Sequence, residues 1–274
     1  MPLRLGKIGY LNVLPIYHPL ETGLIENDFA ISSGPPSELN RLMDDGLLDL
    51  SAASSIEYAR HPEKYYLIPD IAIGSRGPVQ SVLLLCRRPM EKLSGTTILV
   101  SAQTHTSAAL LRILLTKHWK IRTDFTTGNA SLALKNGERP EAILAIGDEA
   151  LNLRYHPDYP HRIDLGEAWR ELTGLPFIFG VWLVQRNSWI RNRAALEKGV
   201  CQLQQGKRWG VDHMSEVCVM AAEESCLNDE EMCSYFDGLV YDFGEEEQRG
   251  LKVFYENLLE SGLIKQVPRL EFIP

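Results

Sequence analysis

The stretch KIGYLNVLPIYHPLE, residues 7–21, joins a predicted strand to a predicted helix. Lys7 to Leu11 have the pattern of a strand, and Pro15 suits the first turn of a helix because its fixed φ and missing N–H are tolerated there. Asn12 lies between the two. Ligands of open α/β sheets bind where strands end and helices begin. The stretch therefore predicts an α/β fold with a hydrogen-bonding amide at its ligand site.

The same alternation of strand and helix continues outward from this stretch and then restarts. Short strands and helices alternate over roughly the first ninety residues, and the pattern begins again at RRPMEKLSGTTILV, residues 87–100. After the apolar run LTGLPFIFGVWLVQR, residues 172–186, the chain is almost wholly helical in pattern. We expect a two-lobed α/β fold with a central cleft and two interlobe crossings, near 87–92 and 183–187. Lobe I would comprise residues 1–88 and 186–274, and lobe II residues 89–185.

Composition excludes several classes of partner. The chain has 274 residues, 45% hydrophobic and 23% charged, with a formal net charge of −8 and no basic run, so we expect no nucleic-acid partner. No apolar run reaches membrane-spanning length, and the N-terminus has no secretory pattern. Five cysteines form no C-x-x-C pair, which favours reduced, buried thiols in a cytoplasmic protein.

Polar residues and turn glycines gather at the ends of the predicted strands. If these strands are parallel, their carboxyl ends share one edge of the sheet. The candidate ligand-binding residues are Asn12, Ser54, Ser55, Gly77, Gln80, Ser81, Thr104, His105, Thr106, Ser107 and Asp148. Simpler roles stay open for several of them: Asn12 could close its own turn, Ser81 could be an ordinary strand serine, and Asp148 could cap a helix.

The segment SAQTHTSAALLRILL, residues 101–115, is the most informative of these. A hydroxyl-rich loop precedes a strongly apolar helix, for which Thr106 or Ser107 is the predicted cap. Free N–H groups at a helix start, together with hydroxyls, bind carboxylate or phosphate without a cation. Capping alone would explain either residue, but the loop has more hydroxyls than one cap requires. His105 is expected in the exposed loop or at the ligand.

Common catalytic motifs are absent from the chain. It contains no G-x-x-x-x-G-K-[ST], G-x-G-x-x-G, H-E-x-x-H or G-x-S-x-G. We therefore expect no metal site, no nucleotide fold and no serine-hydrolase triad. The residues alone predict a two-lobed protein that binds a small anion, without identifying a reaction.

Five segments, taken in order, resemble the chorismate dehydratase family of the futalosine route to menaquinone. They are IGYLNVLPIY (8–17), GPVQSVLLL (77–85), SAQTHTSAALLRILL (101–115), AILAIGDEAL (142–151) and WRELTGLPFIFGVW (169–182). The resemblance implies the fold of type II periplasmic binding proteins. It also implies a hydro-lyase that converts chorismate, a small dianion, to 3-[(1-carboxyvinyl)oxy]benzoate and water without a cofactor.

The resemblance also suggests roles for the candidate residues. Asn12 and Ser81 would act near the reacting carbons, with Gly77 and Gln80 in the motif of Ser81. A carboxylate would be bound by Thr104, Thr106 and Ser107, and the other end of the ligand by Ser54 and Ser55. Asp148 would orient a loop or hold a water. The general base stays open among Asp148, His105 and a carboxylate of the substrate itself. His105 stands where the family pattern has Arg, so a fixed cation is missing there.

Two other functions remain open at this point. One is 1,4-dihydroxy-6-naphthoate synthase, a relative in fold and pathway that needs a base for enolisation, for which His105 is the candidate. The other is a non-catalytic protein that binds a small anion.

Overall fold

The strands of the protein form two sheets. The computed structural model describes residues 2–101 and 104–274, so two residues of the predicted 101–107 loop, 102 and 103, lie outside the described residues. Within the described part, each sheet has five strands. The strands are β1 (Leu3–Ile8), β2 (Phe29–Gly34), β3 (Leu50–Ser54), β4 (Tyr65–Ser75), β5 (Val82–Cys86), β6 (Thr97–Val100), β7 (Asp124–Thr127), β8 (Ala142–Ile146), β9 (His161–Asp164) and β10 (Phe177–Gln185).

The first sheet has the order β2-β1-β3-β10-β4. β1 pairs in parallel with β2 and β3, whereas β10 is antiparallel to β3 and β4 on either side of it. The second sheet has the order β7-β6-β8-β5-β9. There β6 pairs in parallel with β7 and β8, and β5 is antiparallel to β8 and β9. In each sheet, four strands run in one direction and one strand, β10 in the first sheet and β5 in the second, runs the opposite way.

The sheet memberships correct the predicted lobe boundaries. β5 belongs to the second sheet and β10 to the first, so the chain crosses between β4 and β5 and again before β10. The predicted boundaries at 88/89 and 185/186 are therefore wrong by one strand each. Both strands are apolar runs, VLLLC and FIFGVWLVQ, that suit the centre of either sheet. Their partners are decided by pairing with distant strands, which the local pattern does not encode.

Helices cover the faces of both sheets. They are α1 (Leu14–Glu21), α2 (Pro36–Asp44), α3 (Ser55–Arg60), α4 (His105–Lys117), α5 (Ala130–Lys135), α6 (Gly147–Leu153), α7 (Leu165–Thr173), α8 (Arg186–Asp212), α9 (Met214–Glu223), α10 (Asp229–Asp237) and α11 (Glu245–Glu260). The predicted helical C-terminal third is confirmed as α8 to α11. No helix in the described part is long and apolar enough to span a membrane.

The cysteines differ from the prediction of reduced, buried thiols. Cys218 on α9 and Cys233 on α10 form a disulfide, with Cα atoms 5.1 Å apart. Cys201 and Cys226 are exposed free thiols, and Cys86 is a buried one. The paired residues lie 15 positions apart on two helices, a separation that no short cysteine motif reveals. The disulfide joins α10 to α9.

Candidate active site

A cleft lies between the two sheets. Apolar side chains from both lobes form much of its wall, which suits a ligand with a flat hydrocarbon ring. They are Ile8, Ile73, Val79, Val82, Ile146 and Phe179.

Strand direction explains why the polar candidates meet in this cleft. The parallel strands end at it, as Ile8, Ser54 and Ile146 show. β5 and β10 run the opposite way, so each contributes its beginning instead: Ser81 precedes β5, and Gly180 pairs with Ser54. The expectation of one shared edge is confirmed for the parallel strands. Ser81 reaches the same edge because its strand is antiparallel.

Asn12 is held in a one-turn 3₁₀ helix, Leu11–Val13, directly after β1. Its backbone carbonyl accepts a hydrogen bond of 2.9 Å from the hydroxyl of Tyr241. The preceding N–H, that of Leu11, donates to Asp148 Oδ1 of the second lobe at 3.4 Å. The Asn12 Oδ1 atom itself is buried and has no hydrogen-bond partner among the described residues. Asn12 therefore offers the cleft a free acceptor on a fixed backbone.

Ser81 lies at the end of a strained turn. Gln80 has a φ of +60°, the left-handed region that non-glycine residues seldom adopt. The Asp164 carboxylate stabilises the turn, accepting hydrogen bonds from the N–H groups of Val79 (3.0 Å) and Gln80 (2.6 Å). Ser81 is 2% exposed, and its Oγ accepts a hydrogen bond of 3.2 Å from the hydroxyl of Tyr235. The Ser81 hydroxyl is thus fixed before any ligand binds.

The start of α4 forms a second wall of the cleft. The N-cap is Thr104, not Thr106 or Ser107 as predicted, and its side chain makes no capping bond. Thr104 Oγ1 is buried without a partner among the described residues. Thr106 instead accepts a hydrogen bond of 3.2 Å from the N–H of Ile56 on α3, which links the two lobes. The prediction erred because a run of hydroxyl residues permits several cap positions.

His105 also lines the cleft, as the first residue of α4. Its Nδ1 atom is buried and unpartnered within the described chain. Burial, followed by the positive charge of Arg60, lowers the pKa of His105 below its ordinary value. The imidazole is therefore neutral at pH 7. No Lys or Arg is among the cleft-lining residues that the structure describes, so an anion there would depend on neutral donors and the free N–H groups of α4.

The cleft brings together seven of the predicted site residues: Asn12, Ser54, Ser81, Thr104, His105, Thr106 and Ser107. The other four lie beside it. The hydroxyl of Ser55 is fully buried beneath it, and Gly77 lies under α7. The Gln80 side chain donates to the carbonyl of Ser234 on α10 instead. Asp148 accepts from Leu11 N, and burial raises the pKa of its carboxyl.

Two contributors, Tyr10 and Tyr235, were not predicted from the sequence. Tyr10 lines the cleft, and its ring lies against Gly147, which has a φ of +55°; a Cβ added to that glycine would be 2.8 Å from the ring. Burial and the nearby Asp148 raise the pKa of Tyr10 to about 12. The second is Tyr235, whose partner Ser81 lies 154 residues away. Tyr10 belongs to the motif IGYL at the end of the first predicted strand, so its position could have been predicted. The spacing around Tyr235, in contrast, is that of an ordinary core residue of a helix.

The fold and the cleft together define a two-lobed, periplasmic-binding-protein-like class. A protein from Archaeoglobus fulgidus has this fold with a TM-score of 0.77 and 18% identity, over 96% of this chain and 98% of that one. The periplasmic aliphatic sulphonate binding protein SsuA from Escherichia coli matches with a TM-score of 0.68 and 17% identity, over 100% and 92%. The predicted fold class is therefore confirmed.

Within this class, the chain belongs to the menaquinone biosynthesis family, whose sequence model matches residues 3–260. It is 29% identical to a chorismate dehydratase from Thermus thermophilus, over 94% of this chain and 95% of the relative. It is 32% identical to a chorismate dehydratase from Campylobacter jejuni, over 64% of each. A 1,4-dihydroxy-6-naphtoate synthase from T. thermophilus is 26% identical over 99% of both chains. The family-level prediction from the five motifs is confirmed.

Proposed function

We propose that this chain is a chorismate dehydratase, converting chorismate to 3-[(1-carboxyvinyl)oxy]benzoate and water without a cofactor. The observation that carries the proposal is a set of three buried polar atoms in the cleft: Asn12 Oδ1, Thr104 Oγ1 and His105 Nδ1. A buried polar group without a partner costs roughly 1–3 kcal/mol. A polar ligand that bonds to them recovers this energy. The two relatives named chorismate dehydratase support this substrate over other small anions.

The reaction needs a proton removed and a hydroxyl released from neighbouring carbons of one ring. The ring carboxylate acidifies the proton on the carbon that carries the enolpyruvyl ether. Removing that proton gives a delocalised anion, and loss of the adjacent hydroxyl then yields an aromatic ring. The hydroxyl and the proton together make the water released. Aromatisation supplies the driving force, so the protein has to orient the dianion and stabilise the charge that develops.

Groups on the two walls of the cleft carry out these tasks. The N–H groups at the start of α4, with the hydroxyls of Thr104 and Ser107, bind one carboxylate. Ser54 contacts the other end of the ligand. Ser81 donates a hydrogen bond to the departing hydroxyl, while the Asn12 amide bonds the substrate near the reacting carbons. The apolar wall holds the ring and keeps water away.

We propose one of the substrate's own carboxylates as the base. Asp148 is the weakest of the three candidates, because its carboxylate accepts from Leu11 N and lies outside the cleft lining. His105 is the second candidate, since it lines the cleft, is neutral and has a free nitrogen. Replacement of His105 by Asn separates the two: turnover persists if the substrate supplies the base.

The second candidate function is 1,4-dihydroxy-6-naphthoate synthase. The observation that favours it is the neutral, unpartnered His105, because such a synthase needs a base to enolise its substrate. Cyclic dehypoxanthine futalosine is the substrate that tests it. A non-catalytic role would leave both substrates unchanged.

The deciding experiment mixes purified, metal-free protein with chorismate and follows the products by chromatography and mass spectrometry. We expect catalytic formation of the enolpyruvyl benzoate, with chorismate alone as the control for spontaneous breakdown. Intact chorismate in the presence of measurable binding would overturn the proposal. The cytoplasmic location and the absence of a nucleic-acid partner stay predictions.

A further inference from the structure

The hydroxyl of Tyr235 is a buried polar group that the proposed reaction does not yet use. Tyr235 lies on α10, far along the chain from the cleft motifs, and is 1% exposed. Its O–H donates to Ser81 Oγ at 3.2 Å. The Asn12 side chain also lies beside the Tyr235 hydroxyl. One phenol thus contacts both residues assigned to the reaction.

The helix that carries Tyr235 is fixed by several contacts to the second lobe. Its start is a capping box between Asn228 and Glu231. Glu231 forms an ion pair of 2.6 Å with Arg154, whose side chain is 11% exposed. The carbonyl of Ser234, next to Tyr235, accepts a hydrogen bond of 2.8 Å from the Gln80 side chain, next to Ser81. These contacts fix the position of α10 relative to the turn that contains Ser81.

The direction of the hydrogen bond between Tyr235 and Ser81 determines where the hydrogen of the Ser81 hydroxyl points. A serine hydroxyl has one hydrogen and two lone pairs. Because the phenol donates to Ser81 Oγ, the hydrogen of Ser81 has to point away from Tyr235, and Ser81 lines the cleft. A phenol is also a more acidic donor than a serine hydroxyl, which favours this polarity. Ser81 is thereby set as a donor toward the ligand.

We propose that Tyr235 is a positioning residue of the reaction: it orients the Ser81 hydroxyl so that it donates to the departing hydroxyl of the substrate. This inference rests on the proposed function and deepens it. Tyr235 itself touches no reacting atom. The effect of Tyr235 on the reaction depends on Ser81. This dependence distinguishes Tyr235 from a residue that only packs in the core.

The test is a double-mutant cycle of Tyr235→Phe and Ser81→Ala, assayed on chorismate. We expect Tyr235→Phe to lower kcat roughly 10- to 100-fold with little change in KM, less than the roughly 100- to 1,000-fold cost of removing a preoriented donor outright. Tyr235→Phe should then cause no further loss in the Ser81→Ala background, because groups that act as one unit are non-additive. Losses that multiply in the double variant, or an unchanged kcat in Tyr235→Phe, would overturn the inference.

A matched control separates this effect from a loss of stability. Tyr159 is equally buried, and its hydroxyl donates one hydrogen bond of 3.0 Å, to the carbonyl of Pro140 far from the cleft. Tyr159→Phe should unfold at a temperature similar to that of Tyr235→Phe and keep the kcat of the wild type. Wild-type turnover is measured first. If it is absent, the proposed function fails and the inference fails with it, whereas normal wild-type turnover with additive variants refutes the inference alone.

Discussion

The two walls of the cleft are built in opposite ways. On one, the side chain of Ser81 and the backbone of Asn12 are held by Tyr235 and Tyr241, which come from the C-terminal part of the chain. On the other, Thr104 Oγ1 and His105 Nδ1 are buried without partners among the described residues. The first wall fixes Ser81 and the backbone of Asn12 before a ligand arrives and leaves Asn12 Oδ1 unpartnered among the described residues, whereas on the second wall neither of these two polar atoms has a partner there. The first wall is therefore suited to chemistry and the second to binding.

Electrostatic stabilisation is most effective when dipoles are already oriented, because no reorganisation is then needed during the reaction. A binding group gains most when the ligand relieves an unsatisfied polar atom. Variants of the first wall should therefore affect kcat, and variants of the second wall affinity. Substitutions on each wall test this division.

The largest effect is expected on the first wall. Asn12→Ala and Ser81→Ala should each lower kcat roughly 100- to 1,000-fold, the scale of a lost preoriented donor. Asn12→Ala should change the melting temperature little, whereas Ser81→Ala leaves the buried Tyr235 hydroxyl without its acceptor and should lower the free energy of unfolding by about 1–3 kcal/mol. Steady-state assays on chorismate, with the exposed Ser37→Ala as control, measure the effect. Full activity in both variants would refute the assignment of these residues.

A smaller effect is expected at Thr104, whose substitution should raise the stability of the protein and lower its affinity for the product. Thr104→Val removes a buried hydroxyl that has no partner among the described residues, so the free energy of unfolding should rise by about 1 kcal/mol. Affinity for the product should fall roughly tenfold, the value of one hydrogen bond to a charged group, while kcat changes little. Denaturant unfolding and calorimetric titration measure the two quantities.

Thr106→Val is the matched control, because it removes the same group two residues later. Its hydroxyl accepts from Ile56 N, so the substitution leaves a donor unsatisfied and should lower the free energy of unfolding by about 1–3 kcal/mol. Equal stability changes at the two threonines would contradict the distinction between a free and a satisfied hydroxyl.

The smallest effect is a dependence of stability on pH at His105. Its pKa is lowered in the folded protein, so the unfolded chain takes up the proton more readily. The free energy of unfolding should therefore fall as the pH drops below the ordinary histidine value of about 6.5. It should stop falling, for this group, below the folded pKa.

Two variants isolate that contribution. His105→Asn should remove the His105 part of the pH dependence, and Arg60→Gln should raise the pKa of His105 because a neighbouring positive charge is lost. Nuclear magnetic resonance titration of the imidazole signals checks the pKa directly. A His105 pKa at or above 6.5 in the wild type would contradict the prediction.

The sequence was sufficient for the parts of the site that are local. Asn12 and the start of α4 were predicted because neighbouring residues largely determine where a strand ends and where a helix begins. The motif around Ser81 was found in the same way. The cleft-lining role of Thr104 to Ser107 followed from hydroxyls beside an apolar helix, although the cap residue itself was misplaced.

The features that could not be predicted depend on distant pairing. The lobe of β5 and β10, the disulfide of Cys218 and Cys233, and the contact of Tyr235 with Ser81 each join segments whose local patterns are ordinary. Gln80 shows the same limit: its side chain was expected at the ligand, but it turns to Ser234 because α10 packs there. Only the three-dimensional arrangement determines such partners.

The place of β10 between β3 and β4 has a consequence for how the chain is synthesised. Strands β5 to β9 are contiguous in sequence, so the second sheet has all its strands early in translation. β3 and β4 have no intervening strand until β10 leaves the ribosome, roughly 100 residues after β4, or about 5–20 s at ordinary rates of synthesis. During that interval both present open edges, which are prone to wrong pairing. The nascent chain is thus expected to need protection most while its second lobe is already folded.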